Sequence, residues 1–284
     1  MKHRMNLLVT LNEAYLPYLN TLLSSVIYHN PDTYFTVYLL HTSIREEKTE
    51  KTKAILGTRG ELVLIEADGH GLDDAPTTDR FPKEMYYRIF AAKYLPENVD
   101  KVLYLDPDII VNGSLRELYE MPLGKNYFAA ASHNGVVMRL FNGVRLGLKH
   151  GCPYINSGVL LINLKLLREE QKLGDVFKYI RKHRRKLLLP DQDVISGLYG
   201  ERIYKLNSHI YNMTDRHYRF NRLFGKRRDF EWYKNNTVIF HFCGKNKPWK
   251  ENYSGVFGVF YKETLARMGL VCECERTAEN AQVF

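Results

Sequence analysis

Apolar positions along the first half of the chain come in two alternating kinds. Short continuous runs at residues 5–11 (MNLLVTL), 34–40 (YFTVYLL), 61–65 (ELVLI) and 101–111 (KVLYLDPDIIV) have the length and the β-branched or aromatic content of buried strands. Between the first two, Leu16, Leu19, Leu22, Leu23, Val26 and Ile27 recur at helical spacing. Residues 44–56 predict a charged surface helix ended by Gly57, and residues 83–95 a second amphipathic helix carrying Tyr86, Ile89, Phe90 and Tyr94. Strand–helix alternation with continuously apolar strands predicts an α/β fold with a mostly parallel sheet covered by helices on both faces.

The second half is less regular. Residues 157–164 (SGVLLINL) read as a strand, and residues 165–188 as a charged helix. Residues 207–236 are polar, aromatic and basic with little periodicity. Residues 238–242 (VIFHF) form another short strand, 255–268 an amphipathic helix, and 271–284 a polar, frayed tail. The pattern shows no internal repeat and no low-complexity linker.

Composition narrows the class. With 45% hydrophobic and 26% charged residues the chain is globular rather than disordered. No run approaches the roughly 18–20 apolar residues of a membrane span. The basic start is followed by too short an apolar run for a secretory signal. Cys152, Cys243, Cys272 and Cys274 fit neither a metal finger nor a disulfide framework, which points to a reducing cytoplasm. The net charge of +9 is uneven: residues 1–150 hold 17 basic and 18 acidic side chains, the remainder 24 and 14. A basic second half suggests an anionic partner such as a nucleic acid, a membrane surface or a phosphorylated substrate.

Several groups of residues could carry chemistry. Asp106-Pro107-Asp108 places two carboxylates among apolar neighbours, which is costly unless they are neutralised. A divalent cation between them would do this; a strand that ends in an acidic turn is the alternative. Pro107 lacks a ladder donor and fits a strand end, where ligands of open α/β sheets bind. His241, ending VIFHF, is either a satisfied core histidine or a third ligand. Gly244, Lys245 and Lys247 just beyond it favour a phosphate nearby. In LPDQD, Pro190 starts a short helix; one of Asp191 and Asp193 caps it, and Asp191 with Gln192 could face a sugar. Asn156, in YINSG, is a turn residue or a sugar ligand. Arg88 is a snorkelling arginine unless it meets an anion. The run 178–186 is a solvated helix face. The run 216–228 interleaves Tyr218, Phe220 and Phe224 with arginines, a composition suited to anionic headgroups or nucleic acid.

Six ordered blocks, LLVTLNEAYL, MYYRIFAAKYLP, KVLYLDPDIIV, YINSGVLLINL, LPDQD and HFCGKNKPW, resemble glycosyltransferase family 8, the family of bacterial lipopolysaccharide galactosyl- and glucosyltransferases. The resemblance spans residues 7–270. It implies a GT-A fold: one domain over 1–270, with a nucleotide-binding half to about 150, a donor and acceptor half beyond, and a basic acceptor- or membrane-facing region. It implies retaining transfer of glucose or galactose from a UDP-sugar, with Mn²⁺ or Mg²⁺, to a glycan or lipid-linked saccharide. By this analogy Asp106, Asp108 and His241 hold the metal, and Pro107 lies with them at the nucleotide-sugar. Gly244 and Lys247 meet the diphosphate. Thr10, Leu11 and Asn12 meet uracil and ribose, and Tyr15 stacks on the base. Arg88, Asn156, Asp191 and Gln192 hold the donor sugar and carry the catalysis. Two positions depart from the family pattern: Asn12, where aspartate is frequent, and His133-Asn134, where an acidic residue is frequent. The expected location is cytoplasmic, with the 216–228 region against the inner face of an anionic membrane and no nucleic-acid partner. A sugar-phosphate nucleotidyltransferase would need a glycine-rich loop after the first strand, which Asn12-Glu13-Ala14-Tyr15 does not supply. A nucleic-acid-binding protein would leave Asp106, Asp108 and His241 without a role.

Overall fold

The computed structural model describes residues 3–69, 71–72, 75–78, 82–132, 136–224 and 228–281, with side chains described outside 136–140 and 270–281. Nine strands are present among these: β1 (His3–Thr10), β2 (Thr33–His41), β3 (Gly60–Glu66), β4 (Lys101–Leu105), β5 (Ile109–Val111), β6 (Phe128–Ala131), β7 (Val159–Asn163), β8 (Ile203–Leu206) and β9 (Ile239–His241). Seven make one sheet in the order β3-β2-β1-β4-β7-β6-β8, and β5 pairs with β9 in a small second sheet. The pairs β3-β2, β2-β1, β1-β4 and β6-β8 are parallel, while β7 runs antiparallel to both neighbours. The large sheet is therefore mostly parallel, as the continuous apolar runs predicted. Strands from both halves of the chain share it.

Period-two alternation sorts the strand side chains into two cores. Leu8, Val102 and Tyr104 face one layer with Tyr86, Tyr87, Ile89 and Ile195. Leu7, Val9, Leu103 and Leu105 face the other with Leu19, Leu22, Leu23 and Val26 from the helix Leu16–His29. A third, aromatic core surrounds β5 and β9, with Tyr218, Tyr233, Phe240, Phe257 and Phe260.

Several elements differ from their sequence reading. Residues 101–111 are two strands in two sheets, because the chain turns at Asp106-Pro107-Asp108 and leaves β4 for β9. The 83–95 helix is 3₁₀ over Lys83–Phe90 and α only over Ala91–Tyr94; every residue from Glu84 to Phe90 is buried, so no single apolar stripe sets a 3.6-residue period. The 44–56 helix likewise divides into a 3₁₀ turn, Glu46–Thr49, and an α-helix, Glu50–Leu56. The 165–188 helix is broken into Leu164–Glu170 and Leu173–His183 at Gln171, whose amide donates to the Ile89 carbonyl and the Tyr199 hydroxyl. Residues 207–236 hold three helices, Ser208–Tyr211, Asp215–Phe224 and Phe230–Asn236. The last helix runs over Gly258–Ala281, past the expected end at 268 and through most of the tail read as frayed.

The antiparallel β7 decides where distant blocks meet. Val159 pairs with Leu105, so the turn before β7 arrives at the carboxyl end of β4, beside the carboxyl end of β1. Ile109 pairs with His241, so β9 brings its last residue to the same place.

Candidate active site

Asp106 and Asp108 flank Pro107 where β4 ends. The Asp106 N–H donates to the Gly158 carbonyl at 2.8 Å, and the Phe242 N–H to the Asp108 carbonyl at 2.9 Å. These two backbone bonds fix the acidic pair between β7 and β9. His241 is buried beside them, its Nε2 3.2 Å from Asp108 Oδ1 and 3.6 Å from Asp106 Oδ2. One ligand atom from each of the three residues lies within 4.8 Å of the others.

The protons show what this cluster is suited to hold. His241 Nδ1 donates to Asn212 Oδ1 at 2.9 Å, so whenever the ring is neutral its lone pair is on Nε2. Nε2 is buried and has no hydrogen-bond partner. With the ring in that form, a lone pair and two carboxylate oxygens converge on one point, a donor set that fits a divalent cation. Gly158 keeps the space open: a β-carbon there would lie 2.6 Å from Asp106 Oδ2 and 2.9 Å from His241 Nε2, and would overlap His241 Cε1.

Charge is balanced around this point. Arg88, 5% exposed on the 3₁₀ helix, lies over the Tyr104 ring at 4.2 Å. Its Nη1 is 3.0 Å from Asp106 Oδ1 and 3.1 Å from Asp191 Oδ2, and donates to the Ser157 carbonyl at 3.0 Å. Burial works against the guanidinium charge, but Asp106, Tyr104 and Asp191 outweigh it and raise the pKa. Tyr104 donates to Asp106 at 2.5 Å, and its hydroxyl lies 3.3 Å from Thr10 Oγ1. Lys247 Nζ contacts Asp108 Oδ2 and donates to the Phe242 carbonyl at 3.1 Å. Burial favours the neutral Asp108 acid, yet His241 and Lys247 prevail and hold its pKa well below the carboxylate range. Asp191 goes the other way: burial raises its pKa, against the pull of Arg88 and with a push from Asp106.

A second chain of bonds ties the cluster to the YINSG and LPDQD blocks. Asn212 donates to Asn156 Oδ1 at 2.9 Å, and Asn156 donates to Gln192 Oε1 at 3.4 Å. Neither aspartate caps the helix Pro190–Tyr199 as expected: its N-cap is Leu189, with no side-chain cap bond, and Asp193 is structural in another way. It is fully buried, held bidentately by Arg145 at 2.7 and 2.8 Å and by the Tyr154 hydroxyl, and reaches back to the Leu188 and Leu189 N–H groups.

The structure brings Thr10, Arg88, Asp106, Asp108, Asn156, Asp191, Gln192, His241 and Lys247 into one connected polar network. Leu11 is buried in the core beside the helix Leu16–His29, its N–H bonded to the Leu40 carbonyl at 3.3 Å. The side-chain carbonyl oxygen of Asn12 is buried without a partner. Tyr15 stands at the edge, 37% exposed, against Tyr18, which stacks on Trp249 at 3.8 Å; Lys247 lies 5.5 Å over that indole. Gly244 has φ +107° and open space where a side chain would sit. His133, Asn134 and Arg227 lie outside the described residues. Sequence reasoning missed Asn212, Tyr104, Trp249 and Arg145. Asn212 carries no local signal, because it meets His241 only through an isolated bridge between Met213 and Phe240.

The model of glycosyl transferase family 8 matches residues 6–253 of this chain. The chain belongs to glycosyl transferase family 8. The matched span contains every residue of the network. This family-8 chain is 28% identical to a lipopolysaccharide 1,2-glucosyltransferase of Escherichia coli, over 82% of its length and 70% of the relative's. It is 24% identical to a lipopolysaccharide 1,3-galactosyltransferase of Salmonella typhimurium, over 80% and 67%. Its fold is similar to that of the galactosyltransferase LgtC, crystallised with donor and acceptor sugar analogues: TM-score 0.79, 26% identity, 93% of this chain and 96% of that one. Membership favours the glycosyltransferase reading over the nucleotidyltransferase. Among the described residues no helix is long and apolar enough to cross a membrane.

Proposed function

We propose that this family-8 glycosyltransferase moves a hexose, glucose or galactose, from a UDP-sugar to a hydroxyl of a glycan or lipid-linked saccharide, with retention of anomeric configuration. The observation that carries the reading is the convergence of Asp106, Asp108 and the free Nε2 of His241 around the space that Gly158 leaves open. These residues fit a divalent cation, Mn²⁺ or Mg²⁺. Such an ion, when bound, supplies positive charge against the diphosphate as UDP departs.

The remaining roles follow from the side chains. Lys247 donates to the diphosphate, with Gly244 allowing close approach of the backbone. Thr10, Leu11 and Asn12 receive the uridine at the end of β1, where the unpartnered Asn12 Oδ1 can accept from the base, and Tyr15 covers it. Pro107 shapes the turn between the two carboxylates. Arg88 holds Asp106 and Asp191 in place and faces the donor sugar with Asn156. Gln192 presents its carbonyl oxygen to the developing positive charge at the anomeric carbon. Among the described residues Asp191, adjacent to Gln192, is the candidate carboxylate to attack that carbon. Its ion pair with the buried Arg88 engages the carboxylate and makes it a poor nucleophile, which supports a front-side route. There the acceptor oxygen bonds to the anomeric carbon on the face from which UDP leaves, and its proton passes to the departing phosphate oxygen.

Released UDP and the configuration of the new linkage, followed with UDP-glucose and UDP-galactose over an acceptor panel, test this reading. An α-linked product that EDTA abolishes and Mn²⁺ restores is expected. A β-linked product, or turnover indifferent to EDTA, overturns it.

The same proposal sets the enzyme in the cytoplasm against the inner face of the membrane. The helix Asp215–Phe224 exposes Phe220, Leu223 and Phe224 beside Arg222, with Arg228 just beyond it, a mixture suited to anionic headgroups. Vesicles containing phosphatidylglycerol should co-sediment the protein and lose it on Phe224→Ser with Arg222→Gln and Arg228→Gln; unchanged binding by that variant removes the argument.

A further inference from the structure

His241 also lines a concavity of about 300 Å³, together with Thr214, Arg216, Arg219, Cys243 and Asn246. Its volume is at the lower end of ligand pockets. It is partly open to solvent and shares His241 with the carboxylate cluster. A molecule bound in it therefore sits next to the reacting centre.

The wall of this cleft is cationic and unspent. Arg216 and Arg219 are exposed, and among the described residues neither makes an ion pair or a side-chain hydrogen bond. Three residues apart on one helix, they lie on the same face. The acid on this wall, Asp215, has both oxygens engaged: Oδ1 accepts from the Phe257 N–H at 3.1 Å and Oδ2 from the Tyr253 hydroxyl. Thr214 Oγ1 accepts from the His217 N–H at 3.0 Å, so the ten-residue helix Asp215–Phe224 opens onto the cleft with its positive end. A neutral saccharide has no need of two free guanidinium groups here. A carboxylate fills at most one such fork, whereas the three terminal oxygens of a phosphate ester can engage both.

We propose that the acceptor bound in this cleft is a phosphorylated saccharide, its phosphate held by Arg216 and Arg219. The inference rests on the transferase reading given above and adds the chemical class of its second substrate. Asn246 and Thr214 supply further polar contacts to the sugar, and the shared His241 sets it beside the carboxylate cluster.

Cys243 lines the same wall and gives a readout that needs no turnover; burial, and then Asp108, push its thiol up to about 11, so the labelling is run at alkaline pH. Its alkylation by iodoacetamide, read by peptide mass spectrometry, is compared in the presence of glucose 6-phosphate, glucose and inorganic phosphate. Glucose 6-phosphate should slow the reaction, glucose should not, and inorganic phosphate should act only at higher concentration. Arg216→Gln with Arg219→Gln should raise the half-protecting concentration about tenfold or more, as expected for lost charge-assisted bonds. UDP with Mn²⁺, titrated separately, should bind the double variant as tightly as the wild type. Absence of protection, protection that survives the double substitution, equal protection by glucose, or equal protection by inorganic phosphate each overturns the proposal. Failure of wild-type protein to bind UDP would instead sink the donor-site reading, so the two outcomes are separable.

Discussion

At the carboxyl ends of β1 and β4, Arg88, Asp106, Asp108, Asp191, His241 and Lys247 are buried or half-buried, and each is placed against an opposite charge. Along the helix Asp215–Phe224, Arg216, Arg219 and Arg222 stand in water without ion pairs among the described residues. Both regions are rich in charge, and only the first is committed by the fold. Charges taken out of water must be answered by the protein or by a ligand, whereas solvated charges are available at little structural cost. The cluster should therefore be sensitive in both stability and binding, and the helix in binding alone.

The largest effect is expected from Arg88→Ala, which strands Asp106 and Asp191 together in a buried site. Chemical denaturation should show a loss of about 3–5 kcal/mol. Gly158→Ala tests the cluster without removing a charge: its methyl group enters the space between Asp106 and His241. The Mn²⁺-dependent part of UDP affinity should fall on the order of 100-fold, about 2.7 kcal/mol, with circular dichroism unchanged. Asn212→Ala frees the His241 ring while leaving all three candidate ligands; Mn²⁺ affinity, read by electron paramagnetic resonance, should fall about 10–100-fold. On the inner face of the exposed helix, burial and then His209 hold the His217 pKa down to about 4. The native state resists this proton and the unfolded state accepts it, so stability is complete above pH 6.5 and declines toward pH 4. The decline specific to His217, read against His217→Gln, should be on the order of 1–2 kcal/mol after allowance for solvent screening. Arg216→Gln with Arg219→Gln should change stability by less than about 0.5 kcal/mol. A large loss there would erase the contrast between the two regions.

The parts of this site that were legible in the sequence are those whose chemistry contradicts their surroundings. Asp106 and Asp108 stood out because carboxylates interrupt an apolar run, and Lys247 because it follows a short strand with Gly244. Asn212 was illegible, since its importance comes from a bridge that joins Met213 to Phe240 across the chain. Arg145 became meaningful only once the helix Pro190–Tyr199 placed Asp193 against it. The strand cores were read well because burial on both faces leaves an unbroken apolar run. The helices of 207–236 were not, because they bury single aromatic residues such as Tyr218 and Tyr233 against a third core rather than a stripe. The division of 101–111 between two sheets depends on β9, some 130 residues later, and has no local signature.

Isothermal titration of UDP into the protein, with and without Mn²⁺, tests the central claim most directly, with Asp108→Asn as the comparison. The account predicts tight binding only when Mn²⁺ is present, and loss of that dependence in Asp108→Asn. Equal affinity with and without the ion, unchanged by the substitution, would contradict it.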